Sequence, residues 1–208
     1  MKYNCIFVVG ATGSGKSDVA LELAKTFNGE IINTDSMQIY SEYEIGTAKP
    51  TKKEMEEVKH HLYNITSVKN EFSVSEYKEL AITKFNEIKN RCLPIFVGGT
   101  GLYFSSLINN FNFAKSDKNE KLNELAVKFG NVYVHNILKE LDPEEAENIP
   151  CNNLKRVIRA IEICKTTGKT KTELIKENSA MQTDMQNPLQ PLILGINWNR
   201  EQLYERIN

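Results

Sequence analysis

Apolar residues in this chain follow two spacings, and each spacing predicts one type of element. Short runs rich in apolar and β-branched residues, bounded by glycine, proline or polar residues, are typical of buried strands. Four such runs lie at residues 5–9, 30–34, 94–97 and 192–196. Between these runs the apolar positions recur every three or four residues, which is the spacing of one helix face.

Helical spacing predicts three helices in the first half of the chain. The first follows the first strand, ends at Gly29, and carries its apolar face on Val19, Ala20, Leu23, Ala24 and Phe27. A capping box of Ser73 and Glu76 opens the second helix. The third starts near Leu102. Residues 41–57 are polar and interrupted by glycine and proline, so they are predicted to form a loop.

The spacing is purely helical from residue 115 to residue 178. One apolar stripe predicts a helix on Leu122, Leu125, Ala126 and Phe129. Another predicts a helix that ends near Gly168 and is lined by Leu154, Val157, Ile158 and Ile161. A capping box of Thr170 and Glu173 opens a third, short helix.

Strands that alternate with helices predict an α/β fold, a parallel sheet flanked by helices. The segment without strands interrupts that pattern, and the chain returns to the sheet after it. We therefore predict a core made of residues 1–114 and 188–208, with residues 115–187 as a helical insertion. The length of 208 residues fits one domain that carries such an insertion.

Composition predicts a cytoplasmic protein that does not enter a membrane. The apolar runs are too short to cross a bilayer, and Met1 leads almost directly into the first strand, which leaves no room for a signal peptide. The four cysteines are widely spaced, and Cys5 and Cys164 lie in apolar stretches that predict buried thiols. We expect the protein to be a monomer.

The charge distribution leaves two interpretations open. A net charge of −1 does not favour a protein that is basic overall. Residues 155–171, however, form a basic segment in which Glu162 is the acidic residue. The basic residues are Lys155, Arg156, Arg159, Lys165, Lys169 and Lys171. Such a run is usually a solvated helix face, and a surface that binds nucleic-acid phosphates is the alternative.

A phosphate-binding loop lies between the first strand and the first helix. The pattern G-x-x-x-x-G-K-[ST] is matched by Gly10, Ala11, Thr12, Gly13, Ser14, Gly15, Lys16 and Ser17. Backbone N–H groups and the positive end of the helix converge on an anion in this arrangement. Lys16 adds a positive charge, and the Ser17 hydroxyl can bind Mg²⁺. The motif therefore predicts a polyphosphate ester as ligand, and a phosphate-loop NTPase-like fold.

Further candidate residues follow the second and third strands. Asp35 lies at the carboxyl end of the second strand, where it can serve as a general base, a Mg²⁺ ligand or a turn cap. Residues 98–101 form a second glycine-rich turn, which permits close approach of a ligand to the backbone. His60, His61 and His135 have no metal-binding spacing and are interpreted as structural.

Several motifs together resemble one family, the tRNA dimethylallyltransferases (tRNA isopentenyltransferases). They are GATGSGKS at 10–17, TDSMQIY at 34–40, GTAKP at 46–50, HHL at 60–62, VGGTGLY at 97–103 and RVIRAIE at 156–162. The resemblance covers nearly the whole chain. It implies transfer of a dimethylallyl group from dimethylallyl diphosphate to the exocyclic amine of adenosine 37 in tRNA, with release of diphosphate.

The resemblance also implies roles for individual residues. The phosphate loop holds the diphosphate with Mg²⁺, bound in part by Ser17, and Asp35, Lys16 and Thr100 are the expected catalytic residues. The tRNA anticodon stem-loop is expected to contact Asp35, Ser36, Met37, Gln38, Thr100, Gly101, Lys155, Arg156, Val157, Ile158 and Arg159. Members of the family carry a further diphosphate-binding arginine just past the point where this chain stops.

Three other functions would use the same phosphate-binding loop. A small-molecule kinase would bind ATP there, and an adenylate isopentenyltransferase would prenylate a free nucleotide. A truncated relative would bind tRNA or diphosphate without turnover. The basic helical insertion favours a macromolecular acceptor over a free nucleotide.

Overall fold

A computed structural model of the chain describes residues 2–109, 119–181 and 187–207. The chain divides into two compact units, and each is considered separately: a sheet unit, Met1–Asn110 with Asn187–Asn208, and a helical unit, Phe111–Gln186. The predicted boundary at 114/115 lies outside the described residues. The predicted boundary at 187/188 is one residue from the division between the units.

Five parallel strands form the sheet, in the spatial order β3-β2-β4-β1-β5. They are β1 (Cys5–Gly10), β2 (Gly29–Asn33), β3 (His60–His61), β4 (Leu93–Gly98) and β5 (Pro191–Ile196). The predicted α/β fold with a helix-flanked parallel sheet is confirmed. Only β3 was not predicted, because two residues are too few to leave a periodic pattern.

Ten helices complete the described residues. They are α1 (Lys16–Phe27), α2 (Lys52–Glu57), α3 (Val74–Ile88), α4 (Gly101–Ile108), α5 (Glu120–Phe129), α6 (Asn131–Leu141), α7 (Pro143–Asn148), α8 (Leu154–Thr167), α9 (Lys171–Met181) and α10 (Arg200–Ile207). The helical unit contains α5 to α9, and the other five belong to the sheet unit. Within the three described ranges, no helix is both long and apolar enough to cross a membrane.

The central strands of the sheet are buried on both faces. On one face Phe7 stacks on Phe96 with ring centroids 4.4 Å apart, and Tyr77 of α3 stacks on Tyr103 of α4 at 3.7 Å. On the other face the strands pack against α1 through Val8, Ile31, Ile95, Ala20 and Ala24. Each large apolar side chain buried in this way contributes about 1.5–3 kcal/mol. This two-sided burial explains why the strands show short apolar runs rather than alternation.

The end of α1 differs from the prediction by one residue. Asn28, not Gly29, is the C-cap, with a left-handed φ of 51°. Asparagine tolerates that conformation because its short side chain can bond locally. Gly29 instead opens β2, where a Cβ would lie 2.8 Å from Ile95 Cδ1 and 3.0 Å from the Leu93 carbonyl oxygen. Glycine is therefore needed at position 29 so that β2 can pack this closely against β4.

The prediction of a loop across residues 41–57 was wrong for its last six residues. Thr51 caps α2, because its hydroxyl accepts from Glu54 N and the Glu54 carboxylate accepts from Thr51 N. No residue of α2 is buried. Without a buried face the helix has no apolar period, so only its capping box marks it in the sequence.

The helical unit is built around α8. Its apolar stripe packs against α5 and α6 in a core that contains Val157, Ile161, Leu122, Ala126, Val134 and Leu138. Three predicted stripe positions behave differently: Phe129 is 52% exposed, and Leu125 and Leu154 are only partly buried. Helices α6 and α7 lie in the segment that was predicted to be helical, although no apolar stripe was predicted for either. Asp142 caps α7 by accepting from Glu145 N, and Pro143 occupies its first turn.

The cysteines are free thiols. Cys5 is buried as predicted, and its burial raises the pKa of the thiol to about 12. Cys164 is only partly buried, which corrects the prediction, because it lies near the exposed end of α8. Burial still raises the pKa of this thiol above its usual value.

Two valines in the helical unit provide a matched test of its core. Val134 in α6 is fully buried, whereas Val127 in α5 is 90% exposed. Val134→Ala should lower the free energy of unfolding by about 2 kcal/mol, because it removes buried methyl groups and leaves a cavity. Val127→Ala changes helix propensity in the same way without a cavity, so it should not destabilise. Urea unfolding measures both, and equal effects would contradict the described packing.

Candidate active site

The phosphate loop has a conformation that requires its glycines. Gly13 and Gly15 have φ values of 77° and 85°, which other residues rarely adopt. At Gly10 a Cβ would lie 2.7 Å from Ser14 Oγ and 2.9 Å from the Ile196 carbonyl oxygen. The loop therefore folds tightly against the end of β5, directly between β1 and α1.

The loop leaves hydrogen-bond donors at the start of α1. Gly15 is the N-cap of α1 and has no side chain to satisfy the first N–H groups of the helix. Ser14 is 3% exposed, and its Oγ is the buried side-chain oxygen that finds no partner among the described residues. Unused donors at a helix N-terminus form an anion-binding site.

Lys16 and Asp35 flank Gly99. A Cβ built on Gly99 would lie 3.5 Å from Asp35 Oδ2 and 3.9 Å from Lys16 Nζ, so the absence of a side chain keeps the space beside both groups open. Lys16 Nζ donates to the Ala11 carbonyl at 3.0 Å. Burial lowers the pKa of the Lys16 ammonium, and the Asp35 carboxylate opposes that shift. The arrangement brings a cation and a carboxylate to one edge of the sheet.

The turn after β2 is locked to the turn after β4. The Thr100 hydroxyl accepts from Ser36 N at 2.8 Å and donates to Ser36 Oγ at 3.0 Å, while Thr100 N donates to the Thr34 carbonyl at 3.1 Å. Thr100 is the N-cap of α4, yet its side chain does not cap that helix. Its hydroxyl joins the two turns instead. The residue after it, Gly101, faces open space, because a Cβ built there would meet nothing within 4 Å among the described residues.

Gln38 ties a neighbouring loop to the same edge. Its Nε2 donates to the carbonyls of Thr47 and Ala48, at 2.7 and 3.1 Å. Lys49 Nζ donates to the Tyr40 carbonyl at 2.6 Å. The donors of Gln38 are thus used within the protein, and residues 47–50 line the same cleft as Asp35.

A cleft of about 400 Å³ joins these elements. Its lining includes Thr12, Gly13, Gly15, Lys16 and Ser17 of the phosphate loop region, together with Asp35, Gln38 and Arg206. The cleft is also lined by Leu21, Ile31, Glu54, His60, Tyr63 and Val97. The cleft combines an anion-binding end, a carboxylate and apolar surface, which suits a ligand with an anionic head and an apolar tail.

Arg206 was not predicted as a site residue. Its Nε donates to the Gly13 carbonyl at 3.1 Å, and its guanidinium lies 4.6 Å from the centre of the Trp198 ring. Trp198 Nε1 donates to the Ser14 carbonyl at 2.9 Å. Both residues therefore fix α10 and the segment before it on the phosphate loop, and Arg206 adds a guanidinium to a cleft that Lys16 and Lys49 also line.

Comparison with known proteins places this geometry in a family. A family model described as IPP transferase matches residues 38–208. The chain is 46% identical over 210 residues to a tRNA dimethylallyltransferase of Acetivibrio thermocellus, an alignment that covers 99% of this chain and 66% of that protein. The chain belongs to the IPP transferase family. It spans about two thirds of the length of this curated relative.

Solved structures of IPP transferases share the fold. The full-length tRNA isopentenylpyrophosphate transferase of Bacillus halodurans is 37% identical with a TM-score of 0.62, over 99% of this chain and 63% of that one. A eukaryotic dimethylallyltransferase acting on tRNA is 30% identical with a TM-score of 0.80, over 98% of this chain and 50% of that one. The likeness therefore extends over nearly all of this chain.

The predicted nucleic-acid residues of the helical unit fall into two groups on α8. Lys155, Arg156 and Arg159 are exposed. Val157 and Ile158 are 0% and 7% exposed and belong to the core of the unit, so their side chains pack rather than face a partner. Arg159 lies 3.9 Å from the Glu162 carboxylate. Of the predicted set on this helix, the basic side chains are the ones that face solvent.

The cleft residues that were not predicted were missed for the same reason. Arg206, Tyr63 and Glu54 are distant in sequence from the phosphate loop and reach the cleft through α10, the turn after β3 and α2. No local motif marks them. The one available signal was the spacing of Trp198 and Arg206 after the last predicted strand, which places them at the carboxyl edge of the sheet.

The lowered pKa of Lys16 predicts a pH dependence of anion binding. Lys16 loses its proton as pH rises, at a pH below its ordinary value of 10.5. The affinity for inorganic diphosphate should therefore fall with rising pH before that value is reached. Lys16→Arg keeps its charge throughout, so its affinity should fall less. Calorimetric titration compares the two proteins, and ionisation of diphosphate itself affects both equally. Identical pH profiles would contradict a role of Lys16 in binding the anion.

Proposed function

We propose that this chain transfers a dimethylallyl group from dimethylallyl diphosphate to the exocyclic amine of adenosine 37 in tRNA and releases diphosphate. The observation that carries the proposal is the meeting of Lys16 and Asp35 beside Gly99 in one cleft, in a member of the IPP transferase family. The relatives described above carry dimethylallyl or isopentenyl transfer and tRNA in their names.

Asp35 is the proposed proton acceptor. An adenine amine is a weak nucleophile because its lone pair is delocalised into the ring. As the bond between this nitrogen and the allylic carbon forms, the bond from that carbon to the diphosphate oxygen breaks, and diphosphate leaves with the electron pair. The nitrogen then carries positive charge, and a carboxylate within hydrogen-bond reach removes its proton.

The phosphate loop is the proposed site of the leaving group. Lys16, Arg206 and the N-terminus of α1 bring positive charge to the cleft, and such preorganised charge stabilises diphosphate as it departs. No group of three or more His, Cys, Asp or Glu side chains in the described residues could hold a metal by itself. Ser17 in the cleft offers a hydroxyl, and Mg²⁺ commonly takes most of its ligands from phosphates and water. Mg²⁺ held there would neutralise charge on the diphosphate.

The residues after β2 and β4 are proposed to receive the adenine. Ser36, Met37 and Gln38 follow Asp35 directly, and Met37 is 47% exposed. Thr100 joins the two turns and Gly101 leaves open space beside them. A base stacked in the anticodon loop cannot reach the allylic carbon, so it must be flipped out at a cost of about a few kcal/mol.

The exposed cations of α8 are proposed to bind the anticodon stem-loop. Lys155, Arg156 and Arg159 lie on the solvent side of a helix whose opposite face is buried. Contacts from such side chains to RNA phosphates would offset the cost of base flipping and make binding sensitive to salt. We propose that a monomer of the protein performs the reaction.

An acceptor assay tests this function. Labelled dimethylallyl diphosphate should label unmodified tRNA, and neither AMP nor ATP. Asp35→Asn should lower the turnover number by about two to four powers of ten, the scale for loss of a general base, while affinity for the donor persists. The rate of label transfer and the donor Kd are the measurements.

Other outcomes of the same assay favour the alternatives. Label in AMP without label in tRNA would indicate an adenylate isopentenyltransferase, and phosphoryl transfer from ATP would indicate a kinase. Binding of tRNA without transfer would indicate a non-catalytic relative. Turnover of Asp35→Asn equal to that of the unchanged protein would remove Asp35 as the base.

The salt dependence of tRNA binding tests α8. Arg156→Ala should weaken binding and reduce the slope of log K against log salt concentration by about 1, as expected for one lost phosphate contact. Lys139→Ala is the matched control, since Lys139 is an exposed cation on α6 of the same unit. It makes the same change in charge and should leave the slope unchanged. Equal slopes for the two variants would argue against a specific contact.

A further inference from the structure

The Asn33 side chain forms hydrogen bonds with both the N–H and the carbonyl of Asp35. Asn33 is the last residue of β2 and is 0% exposed. Its Oδ1 accepts from Asp35 N at 2.8 Å, and its Nδ2 donates to the Asp35 carbonyl at 3.0 Å. The same Nδ2 donates to the Leu62 carbonyl at 3.0 Å. One buried amide group thus holds both polar groups of the Asp35 backbone and ties them to the segment after β3.

Asn33 is itself held by the core. Its backbone carbonyl accepts from the Tyr77 hydroxyl at 2.9 Å, and Tyr77 is fully buried in α3. The next residue, Thr34, donates its N–H to the Val97 carbonyl of β4 at 2.8 Å. The pairing of β2 with β4, in which Asn33 lies opposite Val97, holds the Asn33 backbone even without the Tyr77 hydrogen bond, so the amide group is presented to Asp35 from a rigid strand.

This fixation leaves one oxygen of Asp35 directed to the cleft. Oδ1 accepts from Met37 N at 2.9 Å. Oδ2 is the oxygen beside Gly99, 3.5 Å from the position of a Cβ there, on the side where Lys16 Nζ lies. With the backbone and Oδ1 both held, the position of Oδ2 follows from the hydrogen bonds of Asn33 and Met37.

We propose that Asn33 is a positioning residue that aims Oδ2 of Asp35 at the acceptor amine. This inference rests on the proposed function. Only an amide supplies an acceptor and two donors from one short side chain. An aspartate would lack both donors and would add a negative charge two residues from Asp35. A serine would be too short to span both backbone groups. Misplacement of a reacting group by about 1 Å can lower the rate about 100-fold. A residue that fixes the position of Oδ2 would therefore have a large effect on the rate.

Two variants of the full chain separate an effect on the position of Asp35 from a loss of stability. Asn33→Ala removes the amide group, and it should lower the single-turnover rate of prenyl transfer about 10- to 100-fold while the donor Kd stays within about twofold. Tyr77→Phe is the control, because it removes a buried hydrogen bond to the Asn33 carbonyl but leaves the amide group in place. Its rate should stay within about twofold of the unchanged protein, although both variants are expected to be less stable.

A third variant gives a signature that a structural role would not produce. Asn33→Asp keeps an acceptor for Asp35 N and places a second carboxylate near the first. Like charges raise the pKa of a carboxyl group. The acidic limb of the rate profile should therefore move to higher pH in Asn33→Asp and stay in place in Tyr77→Phe. An unmoved limb, or equal rate losses in Asn33→Ala and Tyr77→Phe, would overturn the inference.

Hydrogen exchange keeps this test separate from the test of the function. If the unchanged protein transfers no prenyl group to any acceptor, the proposed function fails. The exchange rate of the Asp35 amide still reports on Asn33, because that amide donates to Asn33 Oδ1. Exchange at least about tenfold faster in Asn33→Ala than in Tyr77→Phe would support the positioning of Asp35. Equal exchange rates in the two variants would overturn it.

Discussion

The close pairing of β2 with β4 is the constraint on which the candidate site depends. A Cβ on Gly98 would lie 2.3 Å from the carbonyl carbon of Thr34, so the two strands can approach this closely only with glycine at that position. Because β1, β2 and β4 are parallel neighbours, their carboxyl ends meet at one edge. That edge brings together Lys16, Asp35 and Gly99, which are far apart in the sequence.

The electrostatics of this edge suit a ligand that arrives with negative charge. Lys16 is partly desolvated, which lowers the pKa of its ammonium, and Asp35 opposes that shift. A bound diphosphate would favour the charged lysine further, as an opposite charge does. The Asp35 carboxylate lies beside Gly99 as well, near the Lys16 ammonium. In the proposed reaction, binding of the leaving group and removal of the proton would thus fall to separate groups in one cleft.

Much of the sheet unit was predictable because its signals are local. Strand runs, the phosphate loop and the capping box of Ser73 each depend on a few neighbouring residues, and the structure contains all of them. The helix α2 was missed because it buries no residue. The basic segment of α8 was predicted as a unit, yet Val157 within it is buried in the core. Spacing alone did not assign each residue of that segment to a face.

The sequence by itself determined the class of fold, the phosphate loop and the position of Asp35 at a strand end, since backbone propensity and motif spacing act over short distances. Tertiary structure decided which side chains share the cleft. Arg206 reaches the phosphate loop only because β5 pairs with β1, and Asn33 contacts Leu62 only because β2 pairs with β3. Such contacts join residues remote in the chain, and packing of the sheet, rather than any local pattern, brings them together.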